Sequence, residues 1–497
     1  MNDKTADLIV VGGGGSGMAG AIEAARSGAR VILFEKGARL GGTTGWSVGS
    51  YTTSASPHQK RKGIVDTPAA HFADMDQVNA AATRSGHTDN LALRKLLTDH
   101  APETLQWLMD LGIVFLGPNP EPPHSAWRMH NVIPSSKAFV HFLQRECERL
   151  GVALLTNHQV LDLRVEDGRV RGVVVRDADG NTQHYSASRG VVLAAGDFAA
   201  SHELRQRYFA EEVVKAEPVN PLSTGDGIRM AELHGATIIN GAHANSPRMR
   251  FVPAAPTWFH RVPPYRLFTK TLSFLWNWIP LFLLRPFMMR FLTTALGPEP
   301  TLFKAGALLV APSGKLVPVD LGSLALHLAR QPENSACILF DATVAAKLNE
   351  WPNFISTAPG IAYAYLSDYR KARRDIYFEA DTLSDLCRKI GVDGSVLAED
   401  VARERTARAA KGDSVSLLER GPFYALGPVR AYVTMTEGGL RVDEQLRVLG
   451  QGGQPIAGLY AAGSNGQGGL LIEGHGHHIA WAFVSGRIAA RNAVRTP

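Results

Sequence analysis

The sequence has 497 residues and a formal net charge of +6. Hydrophobic residues make up 45% and charged residues 20%, which are ordinary values for a globular protein and exclude a disordered chain. The length predicts roughly two to four domains, or one large domain with an insertion. The three cysteines, Cys147, Cys337 and Cys387, are scattered along the chain. They therefore indicate reduced thiols rather than disulfides or a cysteine metal site.

The excess positive charge is concentrated in one segment. Residues 233–298 contain seven basic residues and no Asp or Glu. A nucleic-acid-binding protein would more usually spread its basic residues over a reading face, so we expect no nucleic-acid partner. The first residues lead directly into a glycine-rich motif that cleavage of a signal peptide would destroy. We therefore expect a cytoplasmic protein.

The chain begins with the elements of a dinucleotide-binding unit. An apolar run over residues 8–11 predicts a buried strand. It is followed by a G-x-G-x-x-G motif made of Gly12, Gly14 and Gly17, with Ser16 inside it. A helix is predicted next, and then a second strand that ends at Glu35. In such a unit the helix N-terminus faces a pyrophosphate, and the acidic residue binds a ribose hydroxyl.

A second glycine-rich loop favours FAD over NAD. Lys36 leads to the sequence Gly41-Gly42-Thr43-Thr44-Gly45 soon after the second strand. Such a loop can run beside the pyrophosphate and ring of a flavin, whereas an NAD site has no need of it. Three later segments also end in small residues: 191–196, 224–227 and 458–463.

These segments resemble the flavoprotein family of soluble fumarate reductases and 3-ketosteroid dehydrogenases. The resemblance is carried by the first 45 residues and by residues 190–196, 224–235, 421–425, 438–449 and 458–490. It implies an α/β fold in which a Rossmann-like FAD-binding domain is split in the sequence. The two parts are residues 1–240 and 415–497, and an inserted α+β cap domain takes up residues 241–414.

The resemblance also implies how FAD is bound. Further contacts are expected from Val160, Ala195, Gly196, Asp226, Gly463, Leu471 and Ile472. Membrane-bound members of the family carry a His just ahead of their second glycine-rich loop, and residues 36–45 contain none. We therefore expect non-covalent FAD.

The substrate expectation comes from two departures from the fumarate reductases. Their His-Thr-Met-Gly-Gly element corresponds here to residues 434–439, which contain no His and an added acid, Glu437. Their Asn-Arg-Leu-Gly-Gly element corresponds to residues 471–476, which contain Glu473. The resemblance is therefore closer to the ketosteroid dehydrogenase-like members. It implies interconversion of CH–CH and C=C next to the carbonyl of an apolar ring ketone, with hydride moving to or from flavin N5.

Two alternatives remain open at this point. One is fumarate reductase-like reduction of a small unsaturated acid. The other is a flavoprotein that relays electrons to a membrane quinone. No NAD(P)H site is visible beyond the FAD unit, so an external electron donor or acceptor is expected in each case.

Histidines and tyrosines are the candidates for proton transfer. His475 lies just before a helix predicted from residue 477 onwards, whose N-terminus would face the flavin pyrimidine edge and favour a neutral imidazole. We expect His475 to handle the substrate proton, with His477 and His478 as alternatives. Tyr51, Tyr363 and Tyr432 form a second group, for which packing in a core is the competing interpretation. The histidines lack convergent ligand spacing, so no metal is predicted.

A basic and apolar insertion over residues 258–296 interrupts the cap. Its longest uncharged run, residues 271–284, has fourteen residues and is too short to span a bilayer. Short apolar pieces with Arg and Lys flanks favour an anchor at the inner face of a membrane. From there a lipophilic ketone could enter the site. A homo-oligomer contact and an ordinary cap core are the alternatives.

Overall fold

Strands from both ends of the chain share one sheet, and strands from the middle form a second. In the computed structural model the described residues are 4–243, 247–253, 296–320, 322–358, 362–410, 412 and 417–496, with the single positions 265, 271, 289 and 293. The insertion predicted over 258–296 lies almost wholly outside the described residues.

The described strands range from two to twelve residues in length. They are β1 (Thr5–Val11), β2 (Val31–Glu35), β3 (Ser50–Thr52), β4 (Val114–Asn119), β5 (Met129–Ile133), β6 (Ala153–Thr156), β7 (Gln159–Glu166), β8 (Arg169–Arg176), β9 (Thr182–Leu193), β10 (Glu217–Pro218), β11 (Ile238–Ile239), β12 (Arg248–Phe251), β13 (Leu308–Val310), β14 (Ala336–Phe340), β15 (Ser356–Ala358), β16 (Ala362–Ala364), β17 (Tyr377–Ala380), β18 (Phe423–Val433), β19 (Gly439–Leu440), β20 (Arg447–Leu449) and β21 (Pro455–Ala461).

The described helices range from four to twenty residues in length. In chain order they are α1 (Gly15–Arg26), α2 (Gly42–Trp46), α3 (Pro57–Arg61), α4 (Pro68–Val78), α5 (Ala80–Arg84), α6 (Leu91–Asp110), α7 (Lys137–Arg149), α8 (His202–Tyr208), α9 (Glu211–Lys215), α10 (Asp226–Leu233), α11 (Thr301–Lys304), α12 (Leu324–Ala329), α13 (Ala342–Lys347), α14 (Leu366–Ala372), α15 (Leu383–Ile390), α16 (Gly394–Ala410) and α17 (His477–Arg495). Single 3-10 turns cover Pro332–Asn334 and Gly463–Gly466.

The first sheet has the order β20-β21-β8-β9-β1-β2-β6, and β7 pairs with β8. Strand β1 lies parallel between β2 and β9, with Val10 opposite Leu33 and Val192. The apolar residues at its centre are fully buried, as a parallel strand covered on both faces requires. Strand β21 pairs parallel with β9, so the last part of the chain completes the sheet begun by the first. The predicted α/β fold with a split FAD-binding domain and a cap is confirmed.

Helices α1 and α17 pack closely because glycines meet at their crossing. A Cβ atom on Gly486 would lie 2.2 Å from the Ser16 carbonyl oxygen, and one on Gly20 would lie 2.9 Å from the Gly486 carbonyl oxygen. A side chain at either position would push the helices apart. The C-terminal helix therefore lies directly against the helix of the first glycine-rich turn.

The cap is built on a second sheet with the order β10-β18-β14-β13, and β12 and β17 also pair with β18. Strands β10 and β18 both lie outside the predicted cap limits of 241–414. Val429 and Ala431 on β18 are fully buried in the cap core with Leu309 and Ile338. Sheet membership therefore extends the cap beyond both limits, because hydrogen-bonded pairing joins segments far apart in sequence. Among the described residues, no helix is both long and apolar enough to cross a membrane.

Candidate functional site

The first glycine-rich turn has the geometry of a phosphate-binding loop. Gly12 has φ +108°, and a Cβ at Gly17 would lie 1.9 Å from the Gly12 carbonyl oxygen, so both positions require glycine. Gly14 is the N-cap of α1 and supplies no capping side chain. A Cβ at Gly14 would find no atom within 4 Å. The helix N-terminus therefore opens onto free space, where an anionic group is stabilised.

The residues at the end of β2 are placed as a ribose site requires. The Glu35 carboxylate is buried and accepts hydrogen bonds from the Gly13 N–H at 2.9 Å and the Gly37 N–H at 2.7 Å. Lys36 Nζ donates to Asp226 Oδ2 at 2.8 Å, which ties the start of α10 to the end of β2. The Lys36 ammonium holds the pKa of Asp226 below its usual range even though burial opposes this.

The second glycine-rich loop lies against the first. The Gly41 N–H donates to the Gly13 carbonyl at 2.8 Å, and the Gly15 N–H donates to Thr44 Oγ1 at 3.2 Å. The Gly42 φ angle of +46° continues the turn into α2. Thr43 Oγ1 receives a hydrogen bond from Asn220 Nδ2 at 2.9 Å and lies 3.3 Å from Ser223 Oγ. The sequence analysis did not single out Asn220 or Ser223, which carry no motif of their own.

The later segments that end in small residues are joined to one another and to α17 by hydrogen bonds. Asn465 Oδ1 accepts from the Ala195 N–H at 2.7 Å, and Ser485 Oγ accepts from the Gly463 N–H at 2.8 Å. Gly196 has φ +83° and turns the chain after β9. The 3-10 turn at 463–466 is thereby joined to the end of β9 on one side and to α17 on the other.

The remaining predicted cofactor residues lie further along these elements. Val160 is buried on β7 opposite Val175. Leu471 and Ile472 are buried, and Asn79 Nδ2 donates to the Leu471 carbonyl at 2.9 Å. Val160 therefore lies within the sheet, and Leu471 is bound by the residue between α4 and α5; as cofactor contacts, these residues remain predictions.

The residues present fit FAD. Open space faces the uncapped N-terminus of α1, and the two glycine-rich loops lie beside it. Within the described residues, the buried atoms Asn465 Nδ2 and Gln467 Oε1 have no hydrogen-bond partner. Buried polar atoms are normally paired, so a ligand with donors and acceptors suits them. When bound, FAD supplies two-electron hydride chemistry.

The three predicted tyrosines are not brought together. The Tyr51 ring is fully buried, and its hydroxyl donates to the Ala101 carbonyl at 2.8 Å. This hydrogen bond in the core favours the competing interpretation of Tyr51 as a packing residue, and its catalytic role stays a prediction. Tyr363 packs against Trp351 and Phe354 in the cap, with ring centroids 4.9 Å away in both cases. Tyr432 lies on β18 beside β10, where burial and Glu217 raise its pKa.

The predicted histidines lie on different sides of the start of α17. His475 is largely exposed, with 63% of its side chain accessible, and its Nδ1 lies 2.6 Å from Glu121 Oε1. His477 is fully buried, and its Nε2 lies 3.0 Å from His71 Nε2. Burial lowers the pKa of His477 to about 3, so its imidazole is neutral. Among the described residues, His477 has no acidic side chain as a hydrogen-bond partner, whereas the exposed His475 is bound by Glu121, whose side chain is 15% exposed.

His478 is the histidine that faces the interior with an acid. Its Nε2 lies 2.8 Å from Glu437 Oε1, and only 1% of the Glu437 side chain is exposed. Burial alone would lower the pKa of His478, but the Glu437 carboxylate outweighs burial and the pKa is raised. Burial raises the pKa of Glu437, and the imidazolium reverses this so that the pKa is lowered. The two groups form a buried ion pair, and Gln467 Nε2 donates to Glu437 at 2.6 Å.

A second buried acid lies beside this pair. Asp197 directly follows the predicted residues Ala195 and Gly196, and it is 2% exposed. Burial, assisted by the Glu437 carboxylate, raises the pKa of Asp197 to about 7. The Phe198 N–H donates to Thr436 Oγ1 at 3.2 Å, which joins this loop to the residue before Glu437. The sequence showed the added acid Glu437, but no signal paired it with His478.

Comparison with known proteins supports FAD as the cofactor of this chain. A model of the FAD binding domain family matches residues 7–272 and 301–470. A vinyl phenol reductase of Lactiplantibacillus plantarum is 26% identical over 98% of this chain and 96% of its own length. A fumarate reductase (cytochrome) of Shewanella frigidimarina is 26% identical over 99% of this chain and 77% of its own.

Solved structures share the fold at lower identity. The open conformation of a flavocytochrome c3 fumarate reductase has a TM-score of 0.75 at 21% identity and covers 100% of this chain and 79% of its own. The 3-ketosteroid delta1-dehydrogenase of Sterolibacterium denitrificans has a TM-score of 0.66 at 19% identity, with coverages of 99% and 100%. The chain belongs to the FAD binding domain family and is an FAD-dependent oxidoreductase that acts on C=C or CH–CH bonds.

Proposed function

We propose that this protein reduces a C=C bond conjugated to an oxygen-bearing ring, as in an unsaturated ring ketone or a vinyl phenol. The observation that carries the proposal is the buried His478–Glu437 pair, held at the meeting point of the loops that suit FAD. The relatives found by sequence include reductases, and one of these is named for a vinyl phenol. This supports the reductive direction of the interconversion expected from the sequence.

In this proposal His478 donates the proton. Reduction of a C=C bond adds one hydride and one proton, so the protein needs a group that is protonated near neutral pH. The Glu437 carboxylate keeps His478 in that form despite burial. Gln467 fixes the carboxylate by a hydrogen bond, so the imidazolium is held in one orientation. His475, the residue favoured from the sequence, has its ring bound to Glu121 instead.

The charges around His478 favour an uncharged substrate. Two carboxylates, those of Glu437 and Glu473, raise the pKa of His478. A dianion brought close to these carboxylates would be repelled, since buried like charges interact strongly. An uncharged ring with one polar oxygen meets no such penalty.

One arginine supports a second candidate, reduction of a small unsaturated acid. Arg250 lies on β12, and the only side-chain hydrogen bond that it makes to a described residue is to Thr434 Oγ1, at 3.3 Å. Burial lowers the pKa of this guanidinium, and the described residues give it no carboxylate partner. Thr434 is three residues from Glu437, so Arg250 is the described cation best placed to bind a carboxylate.

Anaerobic reoxidation distinguishes the two candidates. The FAD-loaded enzyme is reduced with dithionite, freed of reductant, and mixed with 4-vinylphenol, 4-androstene-3,17-dione or fumarate while flavin absorbance is followed. We expect return of the oxidised spectrum with an uncharged compound and none with fumarate. His478→Gln should slow the reaction by roughly 100-fold or more, whereas Arg250→Gln should not.

The opposite pattern would support the second candidate. Reoxidation by fumarate that is lost in Arg250→Gln would show that the site binds a carboxylate. Failure of all three compounds to reoxidise the flavin would overturn the proposed reaction.

A further inference from the structure

The buried amide of Gln467 has one atom that the described residues leave without a partner. The residue is fully buried and stands where the 3-10 turn Gly463–Gly466 ends. Its Nε2 donates to Glu437 Oε2 at 2.6 Å and to the Leu470 carbonyl at 3.0 Å, which uses both N–H bonds of the amide. Its Oε1 accepts no hydrogen bond from a described residue. A buried acceptor without a donor costs free energy, so a ligand that donates to it is favoured.

The orientation of this amide follows from its partners. A carboxylate and a main-chain carbonyl are both acceptors, so turning the amide over would set its oxygen against two other oxygens. The oxygen of Gln467 is therefore the atom left for another donor. Gln59 gives a comparison, because it is also fully buried and also uses both of its N–H bonds. Its oxygen, however, accepts from the Ser56 N–H at 2.9 Å, so the chain itself satisfies that amide.

Gln467 lies beside the segments that suit FAD. Two residues earlier, Asn465 Oδ1 accepts from the Ala195 N–H just after β9. A Cβ at Gly227 would lie 2.5 Å from Asn465 Oδ1, so the same turn packs against the start of α10. The turn also follows directly on β21. It is therefore enclosed at the carboxyl ends of β9 and β21, and ligands of sheets of this kind bind at the carboxyl ends of the strands.

The oxidised isoalloxazine ring of FAD carries a single N–H donor, at N3, and keeps this proton when it is reduced. The ribityl hydroxyls are donors as well, but the proposed reaction requires the His478–Glu437 pair to lie beside the ring. We propose that Gln467 accepts a hydrogen bond from the flavin N3–H through Oε1 while it donates to Glu437 through Nε2. One amide then joins the flavin ring to the pair that holds the proton. The inference rests on the proposed function in its choice of the ring, and its test needs no substrate.

The charge of Glu437 should be felt at the far end of this bridge. The His478 imidazolium and the Gln467 N–H help to hold the pKa of Glu437 below its usual range, although burial opposes this. A carboxylate that accepts from Nε2 polarises the amide and makes Oε1 a better acceptor. Hydrogen bonds joined in a chain strengthen one another by roughly 10 to 30%. Removing the charge of Glu437 should therefore weaken the bond to the flavin N3–H.

Nuclear magnetic resonance of FAD labelled with a nitrogen isotope at N3 tests the bridge. The holoenzyme is prepared with this FAD, and the N3–H signal and its exchange with water are measured in the oxidised and reduced states. In the wild type we expect a downfield signal that exchanges more slowly than in free FAD by roughly tenfold or more. Gln467→Met keeps the length of the side chain and removes the acceptor. Its N3–H signal should move upfield and exchange faster, and the Kd of FAD should rise by roughly threefold to tenfold.

Two further variants separate the bridge from a general loss of structure. Glu437→Gln keeps Gln467 and should move the N3–H signal upfield by less than Gln467→Met does. Gln451→Met makes the same substitution at an exposed glutamine and should match the wild type. The spectra of the wild type and of Glu437→Gln decide the question even if Gln467→Met retains no FAD.

Three results would overturn the inference. The first is a wild-type N3–H that exchanges as fast as in free FAD. The second is an N3–H signal that is the same in Gln467→Met as in the wild type, because another group would then bind N3–H. The third is a signal unchanged in Glu437→Gln. If no compound reoxidises the flavin, the proposed function fails, and the N3–H spectrum still decides whether Gln467 binds the ring.

Discussion

His478 Nε2 lies 2.8 Å from one carboxylate oxygen of Glu437 and 2.9 Å from the other, so the imidazole is shared between both oxygens of a buried acid. The two residues are separated by 41 positions in the sequence. One lies on the loop after β18, and the other lies in the first turn of α17. The pair therefore depends on the cap sheet and the flavin-binding domain being folded together.

Replacing Glu437 by Gln should shift the pH dependence of flavin reoxidation. The carboxylate raises the pKa of His478, so the acid form of the wild type persists above its ordinary range and the rate falls only at higher pH. Without the carboxylate, burial lowers the pKa, and the fall should move to lower pH. Rapid mixing between about pH 5 and about pH 9 measures this.

Glu444→Gln is the control for that shift. Glu444 is exposed, so its removal changes net charge equally without touching His478. A pH profile of Glu437→Gln that superposes on that of the control would contradict the role of the pair.

Asp197→Asn should make stability less sensitive to pH. The folded protein raises the pKa of Asp197 from 3.8 to about 7, so between these values the folded state holds a proton that the unfolded state has lost. Stability from this group is therefore lost as pH rises from about 4 to about 7, by on the order of 1 to 4 kcal/mol. Thermal midpoints of wild type should fall relative to Asp197→Asn over this range. Parallel midpoints would show that Asp197 is already ionised.

Tyr51→Phe tests whether Tyr51 is a core residue or, as expected from the sequence, a catalytic one. The hydroxyl donates to the Ala101 carbonyl in a fully buried setting, so its loss should lower the free energy of unfolding by roughly 1 to 2 kcal/mol. The rate of flavin reoxidation should stay within about twofold of wild type, since hydrogen bonds in the core do not touch a substrate. A slow variant with an unchanged thermal midpoint would place Tyr51 in the reaction.

Gly486→Ala should weaken FAD binding. The added Cβ would lie 2.2 Å from the Ser16 carbonyl oxygen, so α17 and α1 have to separate at the first glycine-rich turn. Overpacking of this kind costs about 1 to 3 kcal/mol, and here it also distorts the N-terminus of α1. Flavin content after purification and the thermal midpoint should both fall. Gly452→Ala, where a Cβ meets no atom within 4 Å, should leave both unchanged.

The cofactor site was largely predictable because its signals are local. Gly12, Gly14 and Gly17 stand at fixed spacing between a buried strand and a helix, and Glu35 closes the next strand. The structure gives each of these residues the backbone geometry that the motif requires. Such patterns between neighbouring residues reflect local backbone turns, so they can be recognised from the sequence alone.

The residues proposed for catalysis were less predictable because their partners are distant in sequence. His475 and His478 are both histidines at the start of one helix, and only the fold shows that the first meets Glu121 at the surface and the second meets Glu437 inside. The membership of the cap sheet was not predictable for a similar reason, and the predicted cap limits stay a prediction. Strand β18 joins the cap sheet by pairing with β14, about 90 positions earlier, and no local pattern indicates that pairing.

The position of β21 and α17 has a consequence for biosynthesis. Both elements are translated after the whole cap, yet β21 pairs with β9 and α17 packs on α1. A nascent chain still attached to the ribosome at the end of β18 has its cap strands. It lacks β21 and α17, which complete the first sheet and pack against the helix of the first glycine-rich turn. Flavin capture is therefore a late event in maturation, and a ribosome stalled before residue 455 would present a polypeptide unable to retain the cofactor.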